Sequence, residues 1–511
     1  MTDLKVLTKS APLVASAAVL LSSGTALAQD IAALEELGKR VFFDNISEPK
    51  RQSCSTCHVP EQGWTGGKAG VNKNGVAMPG ANPKAVGRRK PPSNAYASFS
   101  PPFATQPKTV KTPVIPPAFA CRNAIAPFCT GGAFWDGRAE GRESPFVALP
   151  NFTGAGAIEH VGLEIFVGKP AHQAAYSPFV GPLADQALGP FPNDVEQNVP
   201  DGMDHGLPGA EAVCLHVKSA KYAPLYTKAW GEPINCADPA ISFKRVALAL
   251  SAWQHSDEVN SFSSYRDMGD RVIDDKGVEV LALPITTLTP EENLGHDLFY
   301  GRNDSGLNPE LKDANCAACH NSGESTFLGP ALGSKGNELD QIYSDFAYHH
   351  IGVPPNFDIA NFDPDNGDSG ILEHANPGAV FDPQDADATP LAGHYKTPTL
   401  RNVDKRRGNG FVKAYMHNGY FKSLEQVVHF YNTSILLRDP VNCPQGTTAD
   451  EAMAKGCWPA AEFDTDNQAG VIGLLGDLGL TADEEAALVA FLKTLSDTET
   501  VQEPKPFKPQ K

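Results

Sequence analysis

No stretch of the 511-residue chain is apolar for long enough to span a bilayer. The best candidate, Ala11 to Leu21, falls far short of the ~20 residues that a spanning helix needs. Basic charge is also scarce: 42 Lys and Arg stand against 60 Asp and Glu, a net charge of −18. A chain this acidic is repelled by phosphate backbones, which argues against a nucleic-acid partner, and it suits a basic protein partner better. Histidine is absent between His58 and Gly131, a gap that matters below. Loop formers are plentiful. The 46 Gly and 43 Pro exceed their usual combined share of about 12%. The 41% hydrophobic and 20% charged residues describe a globular chain, long enough for two to four domains at roughly 150 residues each.

The short apolar run is preceded by Lys5 and Lys9 and followed by Ala26-Leu27-Ala28, a small-x-small cleavage pattern. Residues 1–28 therefore read as a secretory signal peptide cleaved near Ala28, which places the mature chain where disulfides are allowed.

Four of the ten cysteines fall in two copies of one motif. Cys54-Ser55-Thr56-Cys57-His58 and Cys316-Ala317-Ala318-Cys319-His320 both read C-x-x-C-H, the attachment signature of c-type haem. Two thiols add across the porphyrin vinyl groups and the adjoining His ligates the iron from one face. A zinc site needs four ligands from paired motifs, and a His directly after each second Cys is not that arrangement. The remaining six, Cys121, Cys129, Cys214, Cys236, Cys443 and Cys457, form three sequence-local pairs suited to disulfides, although fifteen connectivities are open.

The surroundings of the two motifs repeat. Leu37-Gly38-Lys39-Arg40-Val41-Phe42-Phe43 precedes the first and Leu294-Gly295-His296-Asp297-Leu298-Phe299-Tyr300 the second. Leu34, Leu37, Val41 and Phe42 follow helical spacing. Thr289-Pro290-Glu291-Glu292 opens the second copy with a capping box and Pro at the first helical position. A further box at Thr481-Ala482-Asp483-Glu484 leads into an apolar stripe, Leu488, Phe491, Leu492 and Leu495, predicting a closing helix. Residues 65–240 show little periodicity, and helices are expected to return near Phe243 to Trp253. The boundary between units is expected near 265–288. Asp363 to Gly370 lacks EF-hand spacing and reads as a turn.

Several further motifs carry a resemblance. Phe134-Trp135-Asp136-Gly137-Arg138, Gln186-Ala187-Leu188-Gly189-Pro190, Lys396-Thr397-Pro398-Thr399-Leu400-Arg401-Asn402 and Tyr415-Met416-His417-Asn418-Gly419 together resemble the bacterial dihaem cytochrome c peroxidase family, including its MauG-like branch. The resemblance implies a mainly α, loop-rich fold of two cytochrome c-like haem domains facing each other, 29–280 and 281–511, in the periplasm. It implies two covalently bound c-type haems, the first handling hydrogen peroxide and the second passing electrons to it. The family's peroxide pocket maps onto Gln186, Pro190 and Glu196, and its tryptophan between the haems onto Trp135. Heterolysis of an O–O bond needs a base and a fixed dipole, which a carboxylate and an amide supply. Asn94 resembles a calcium ligand, with carbonyls near Val412 and Ala414 completing the site. The stretch 139–182 is longer than the family usually has.

Ligation separates the branches. Peroxidases that need reductive activation carry a removable His after the first motif. This chain has none before Gly131, and His160 and His172 in the long stretch are expected on the surface, so the first haem is expected to be open. For the second haem the sixth-ligand slot falls on Tyr431, as in the MauG-like branch, with Met416 as the alternative. Ser423 and Gln426 predict a capping box for the Tyr431 helix, with Leu424, Val427, Val428 and Tyr431 on one stripe. His417 is expected behind the ligands, and Arg401 in a structural role or near the propionates. The implied partners are hydrogen peroxide and either a small periplasmic cytochrome c or copper protein as electron donor or a protein substrate. An electron-transfer dihaem protein without peroxidase turnover is the other class, and Gln186, Pro190 and Glu196 without a sixth His argue against it.

Overall fold

The computed structural model describes residues 30–103, 129–143, 157–202, 206–321, 325–326, 329–330, 338–360, 362, 367–375, 392–463 and 474–508. The signal-peptide reading and Cys121 lie outside them. Helices dominate. In the first half they are α1 (30–43), α2 (Cys54–Cys57), α3 (Ala69–Lys73), α4 (Pro170–Tyr176), α5 (Pro182–Gln186), α6 (Ala210–Ser219), α7 (Ala223–Trp230) and α8 (Pro239–Gln254). The second half contributes α9 (Pro290–Tyr300), α10 (Ile371–Ala375), α11 (Leu424–Thr433), α12 (Ala449–Lys455) and α13 (Ala482–Lys493). Among the described residues sheet is limited to three antiparallel strand pairs: β1 (Arg271–Ile273) with β2 (Glu279–Leu281), β3 (Ser325–Thr326) with β4 (Gly329–Pro330), and β5 (Tyr348–His349) with β6 (Tyr395–Lys396). No helix among the described residues is long and apolar enough to cross a membrane.

The expected starts hold for α9 and α13, where Thr289 and Thr481 cap the backbone N–H groups of Glu292 and Glu484 and both boxes close reciprocally. At α11 only half of the expected box forms. Ser423 caps Gln426, but the Gln426 side chain accepts from the Lys422 N–H (2.7 Å) instead of reaching back to Ser423. The described part of 65–240 holds five helices, α3 to α7, that their weak periodicity conceals. Of these, α6 buries Ala210, Val213, Cys214 and Val217 at helical spacing, but over only ten residues, and the Cys214–Cys236 disulfide ties it to the loop before α8. Cys443–Cys457 forms the second nearest-neighbour bridge, and Cys129 is disulfide-bonded.

Buried apolar residues gather in two cores. One draws chiefly on 33–259, the other on 281–495. Each is organised by a helix pair: α1 crosses α8, and α9 crosses α13. The repeated L-G dipeptide sits at both crossings. A Cβ on Gly38 would lie 1.9 Å from the Ala249 carbonyl oxygen of α8, and one on Gly295 would lie 2.0 Å from the Ala487 carbonyl oxygen of α13. Only glycine permits backbone contact this close. Between the cores the chain passes through the β1–β2 hairpin, whose first strand is exposed throughout.

Replacing Gly38 or Gly295 with Ala should therefore cost about 1–3 kcal/mol or more, since the helices must separate. Gly70, in α3 with nothing within 4 Å of its added methyl, is the control and should be neutral or slightly stabilised as Ala. Denaturant unfolding of the three variants checks the contrast.

Candidate functional site: two thiol-lined cavities

The first motif sits on one helical turn. Ser53 and Thr56 close a capping box around α2, and His58 caps its C-terminus. Cys54 and Cys57 carry free thiols and face a cavity of about 500 Å³, with His58 in the same wall. Phe42 from α1 and Leu250 and Gln254 from α8 complete that wall. The Nδ1 of His58 lies 2.9 Å from the Pro92 carbonyl and 3.2 Å from that of Trp64. Carbonyls only accept, so Nδ1 carries the proton and Nε2 is left for a metal. Burial lowers the His58 pKa, which favours the neutral, ligating form.

Gln186, Pro190 and Glu196 line this same cavity. Burial raises the Glu196 pKa against the opposing pull of Arg138 and of Asn193, whose amide donates to its Oε1 (2.8 Å). Arg138 stacks its guanidinium over the Phe134 ring at 4.0 Å and pairs with Asp136. Gln186 ends α5, and the preceding Asp185 is fully buried. Asp185 accepts from the Gly141 and Val161 N–H groups (both 2.8 Å) and from His160 Nδ1. The long stretch after Asp136 is thus fastened to the helix that carries Gln186. This corrects the expectation for its two histidines. His160 is half-buried against Asp185, and His172 stacks on Trp230 with ring centroids 5.9 Å apart, because each finds a partner within the fold. Neither lines the cavity, where His58 is the only histidine among the described residues.

Cys316, Cys319 and His320 face a larger cavity of about 1690 Å³. His320 repeats the arrangement of His58, with Nδ1 3.0 Å from the Tyr343 carbonyl. Leu424, Val427, Val428 and Tyr431 of α11 all line it, as do Leu488 and Leu492 of α13 and Phe299 of α9. Tyr431 and Met416 both reach this wall. The Tyr431 hydroxyl has no hydrogen-bond partner among the described residues, and burial raises its pKa. Trp135 is here too, donating through Nε1 to the Lys90 carbonyl (2.7 Å). Its ring meets His417 edge-on at 6.4 Å, and His417 stacks on Tyr395 at 3.5 Å. Lys90 and Lys396 also face the cavity, and burial draws both to about 8. Neither has an ion pair among the described residues. Free paired thiols, an imidazole with its outer nitrogen already committed, and buried ammonium groups lacking a carboxylate all fit a haem, whose propionates supply that charge.

Sequence patterns do not reveal Lys90 and Lys396, since an isolated lysine carries no local signal of burial. Arg401 is buried, holds Asp267 through both terminal nitrogens and lies over the Phe262 ring, a structural role, and it also lines the second cavity. Asn94 donates to the Gln254 side chain (2.7 Å) and lines the first cavity, while the Val412 carbonyl accepts from Asn72 (2.9 Å).

The two cavities are joined by residues 89–94. Pro92 accepts from His58, Lys90 accepts from Trp135, and the Lys90 N–H donates to the His417 carbonyl (2.7 Å). Arg89 secures the segment, pairing with Asp136 of the first half and with Asp368 and Glu373 of the second. Asp368 is thus an anchor between distant parts of the chain, more than the turn residue expected; residues 363–366 lie outside the described ones. Arg89 holds the Asp368 carboxyl down at about 2. A depressed carboxyl contributes stability that is complete above pH ~4 and is lost as pH falls toward its folded value. Unfolding free energy should therefore drop between pH 4 and 2, with a shallower drop in Arg89→Met. At neutral pH that variant should lose about 3–5 kcal/mol, because it strands buried carboxylates. Denaturant titrations across pH read both effects.

Residues 32–270 match the sequence model of the family described as di-haem cytochrome c peroxidase. The chain is 27% identical to the methylamine utilization protein MauG of Paracoccus denitrificans over 470 residues, 91% of this chain and 89% of MauG. It is also 27% identical to cytochrome-c peroxidase IdrP1 of Denitromonas iodatirespirans over 320 residues, 60% of this chain and 63% of that protein. Among solved structures it is similar to the diheme peroxidase BthA of Burkholderia thailandensis, with a TM-score of 0.57 at 24% identity over 93% of this chain and 90% of BthA. Two cores, two thiol-lined cavities and these likenesses converge: residues 32–270 carry the sequence pattern of the di-haem cytochrome c peroxidase family, the chain is similar to MauG over nine-tenths of its length, and it is an oxidoreductase of that peroxidase type.

Proposed function

We propose that the protein is a periplasmic oxidoreductase with one haem domain on either side of residue 280. In this reading hydrogen peroxide reacts at the His58 haem, whose sixth position is open, and electrons arrive through the His320 haem. The observation that carries the reading is the shared cavity: Gln186, Pro190 and Glu196 face the same space as Cys54, Cys57 and His58, with no second histidine among its lining residues. A haem bound there supplies peroxide coordination and one-electron storage. The protein supplies the proton handling. Glu196 has one carboxylate oxygen engaged by Asn193, which leaves the other to take a proton from one peroxide oxygen and return it to the second. Burial raises its pKa, which favours a group that both takes up and returns a proton. The Gln186 amide provides a fixed dipole for the separating charge, and Pro190, lacking an N–H, keeps the facing wall free of a competing donor.

Tyr431 is the proposed sixth ligand of the second haem, in preference to Met416. Its hydroxyl has no other partner among the described residues, and α11 holds it on the stripe that faces the cavity. A phenolate is a hard anionic donor that stabilises oxidised iron, whereas Met raises the potential. Trp135 would assist electron passage between the sites. The electron source is a small cytochrome c or copper protein, or an oxidisable protein substrate, and the acidic surface favours a basic one. A calcium ion held by Asn94 at the domain junction completes the proposal.

Low-temperature EPR of the ferric protein should show a high-spin signal from the first haem; purely low-spin spectra for both haems would refute the open site. Glu196→Gln should slow the reaction with peroxide by about 10²-fold or more in stopped-flow absorbance, with haem content unchanged. Tyr431→Phe should alter the spectrum of the second haem only. Peroxide that leaves both haem spectra unmoved would identify an electron carrier instead.

A further inference from the structure

The first cavity has an aromatic exit. Phe42, in its wall, has its ring 4.8 Å from Trp253 and 5.8 Å from Trp64, and the two indoles are 5.7 Å apart. Trp64 also presents its carbonyl to His58 Nδ1. Trp253 is 1% exposed and belongs to α8, the helix whose Leu250 and Gln254 face the first cavity. Its own Nε1 turns to a different place, donating to the Glu258 carboxylate at 3.0 Å. Glu258 and Trp253 both line a separate surface cavity of about 870 Å³, together with Glu35, Glu36, Asp257 and Lys39. Lys39 is already paired with Glu258, so the mouth keeps a surplus of negative charge. The Glu35 pKa is raised, first by burial and then by Asp257 and Glu258, which reports the same crowding. A tryptophan one ring away from the peroxide site, with a carboxylate on its N–H and a negatively charged opening beside it, has the parts of a redox relay. None of the roles assigned above uses it.

We propose that Trp253 is a one-electron relay between the first haem site and this surface cavity, where a small cationic reductant is oxidised. The inference rests on the reading that peroxide reacts at the first haem. An electron passes from the Trp253 indole, by way of Phe42 and Trp64, to refill the oxidising equivalent left by peroxide. The indole N–H proton moves to Glu258. The reductant in the cavity gives one electron to the indole, and Glu258 returns the proton. Two such cycles, with two protons from solvent, reduce one hydrogen peroxide to two waters and oxidise two reductant molecules by one electron each. The carboxylates around the opening concentrate cations and repel anions.

The test uses the full holoenzyme with peroxide, and hexaammineruthenium(II) as the cationic donor against ferrocyanide as the anionic one. Freeze-quench EPR without donor should show an indole radical whose hyperfine pattern narrows with ring-deuterated tryptophan, and Trp253→Phe should abolish it. That variant should also slow hexaammineruthenium oxidation about tenfold or more and leave ferrocyanide oxidation nearly unchanged. Glu258→Gln, a surface change that spares the indole, should lower the radical yield if Trp253→Phe fails to fold. Glu35→Gln combined with Asp257→Asn should lower the second-order rate constant for the cation about tenfold with the radical yield intact. An undiminished radical or an undiminished rate with the cation in Trp253→Phe overturns the relay. Loss of the peroxide-induced optical change in the wild-type protein overturns the peroxide reading, and the relay with it.

Discussion

Backbone contact between helices at Gly38 and Gly295 is the constraint on which the rest of the molecule depends. Each glycine lets the helix before a C-x-x-C-H motif lie directly on a helix much later in the chain, α1 on α8 and α9 on α13. The walls of both cavities come from these same pairs. Phe42 of α1 stands with Leu250 and Gln254 of α8 in the first, and Phe299 of α9 with Leu488 and Leu492 of α13 in the second. A methyl group at either glycine would move the two helices apart and so change the space in which a haem has to fit. The glycines act on the chemistry without touching it.

The repeated frame then diverges by what fills the remaining wall. The first cavity is smaller and carries a carboxylate and amides in the same lining as His58. The second is larger and mostly hydrocarbon, with Tyr431, Lys90 and Lys396 among its lining residues. A carboxylate with a raised pKa is useful where protons must be exchanged. A phenol without a partner, and ammonium groups without a carboxylate, are useful where a charged cofactor has to be held and tuned. The repeat thus gives two similar seats, and the unlike segments around the repeats give them unlike linings.

Local patterns made the repeats legible. C-x-x-C-H, the L-G dipeptides and the reciprocal boxes at Thr289 and Thr481 are each read within a dozen residues, and the structure forms them as read. The box at Ser423 failed by half because Gln426 found a backbone donor at Lys422. The helix α6 carries little sequence signal because its stripe spans about two turns and is then held by a disulfide rather than by length. What no window of sequence shows is a side chain whose meaning lies far along the chain. Asp185 matters because His160, Gly141 and Val161 come to it, and Asp368 because Arg89 does. Lys90 and Lys396 look like ordinary surface lysines until the fold buries them.

Residues 89–94 show why the electrostatic and redox parts of the molecule cannot be separated. The carbonyls of Lys90 and Pro92 lie two residues apart on one segment. One accepts from the Trp135 indole and the other from His58. Hydrogen bonds and the intervening peptide therefore link the aromatic side chain at the second cavity to His58 of the first by a short, continuous route. Arg89, at the head of that segment, is held by Asp136 from one half of the chain and by Asp368 and Glu373 from the other. The ion pairs that fix the halves against each other thus also fix the two carbonyls on which the Trp135 and His58 side chains are hung. A shift between the halves must pull on both bonds at once. If electrons pass between the haems as proposed, their path is only as rigid as the Arg89 knot.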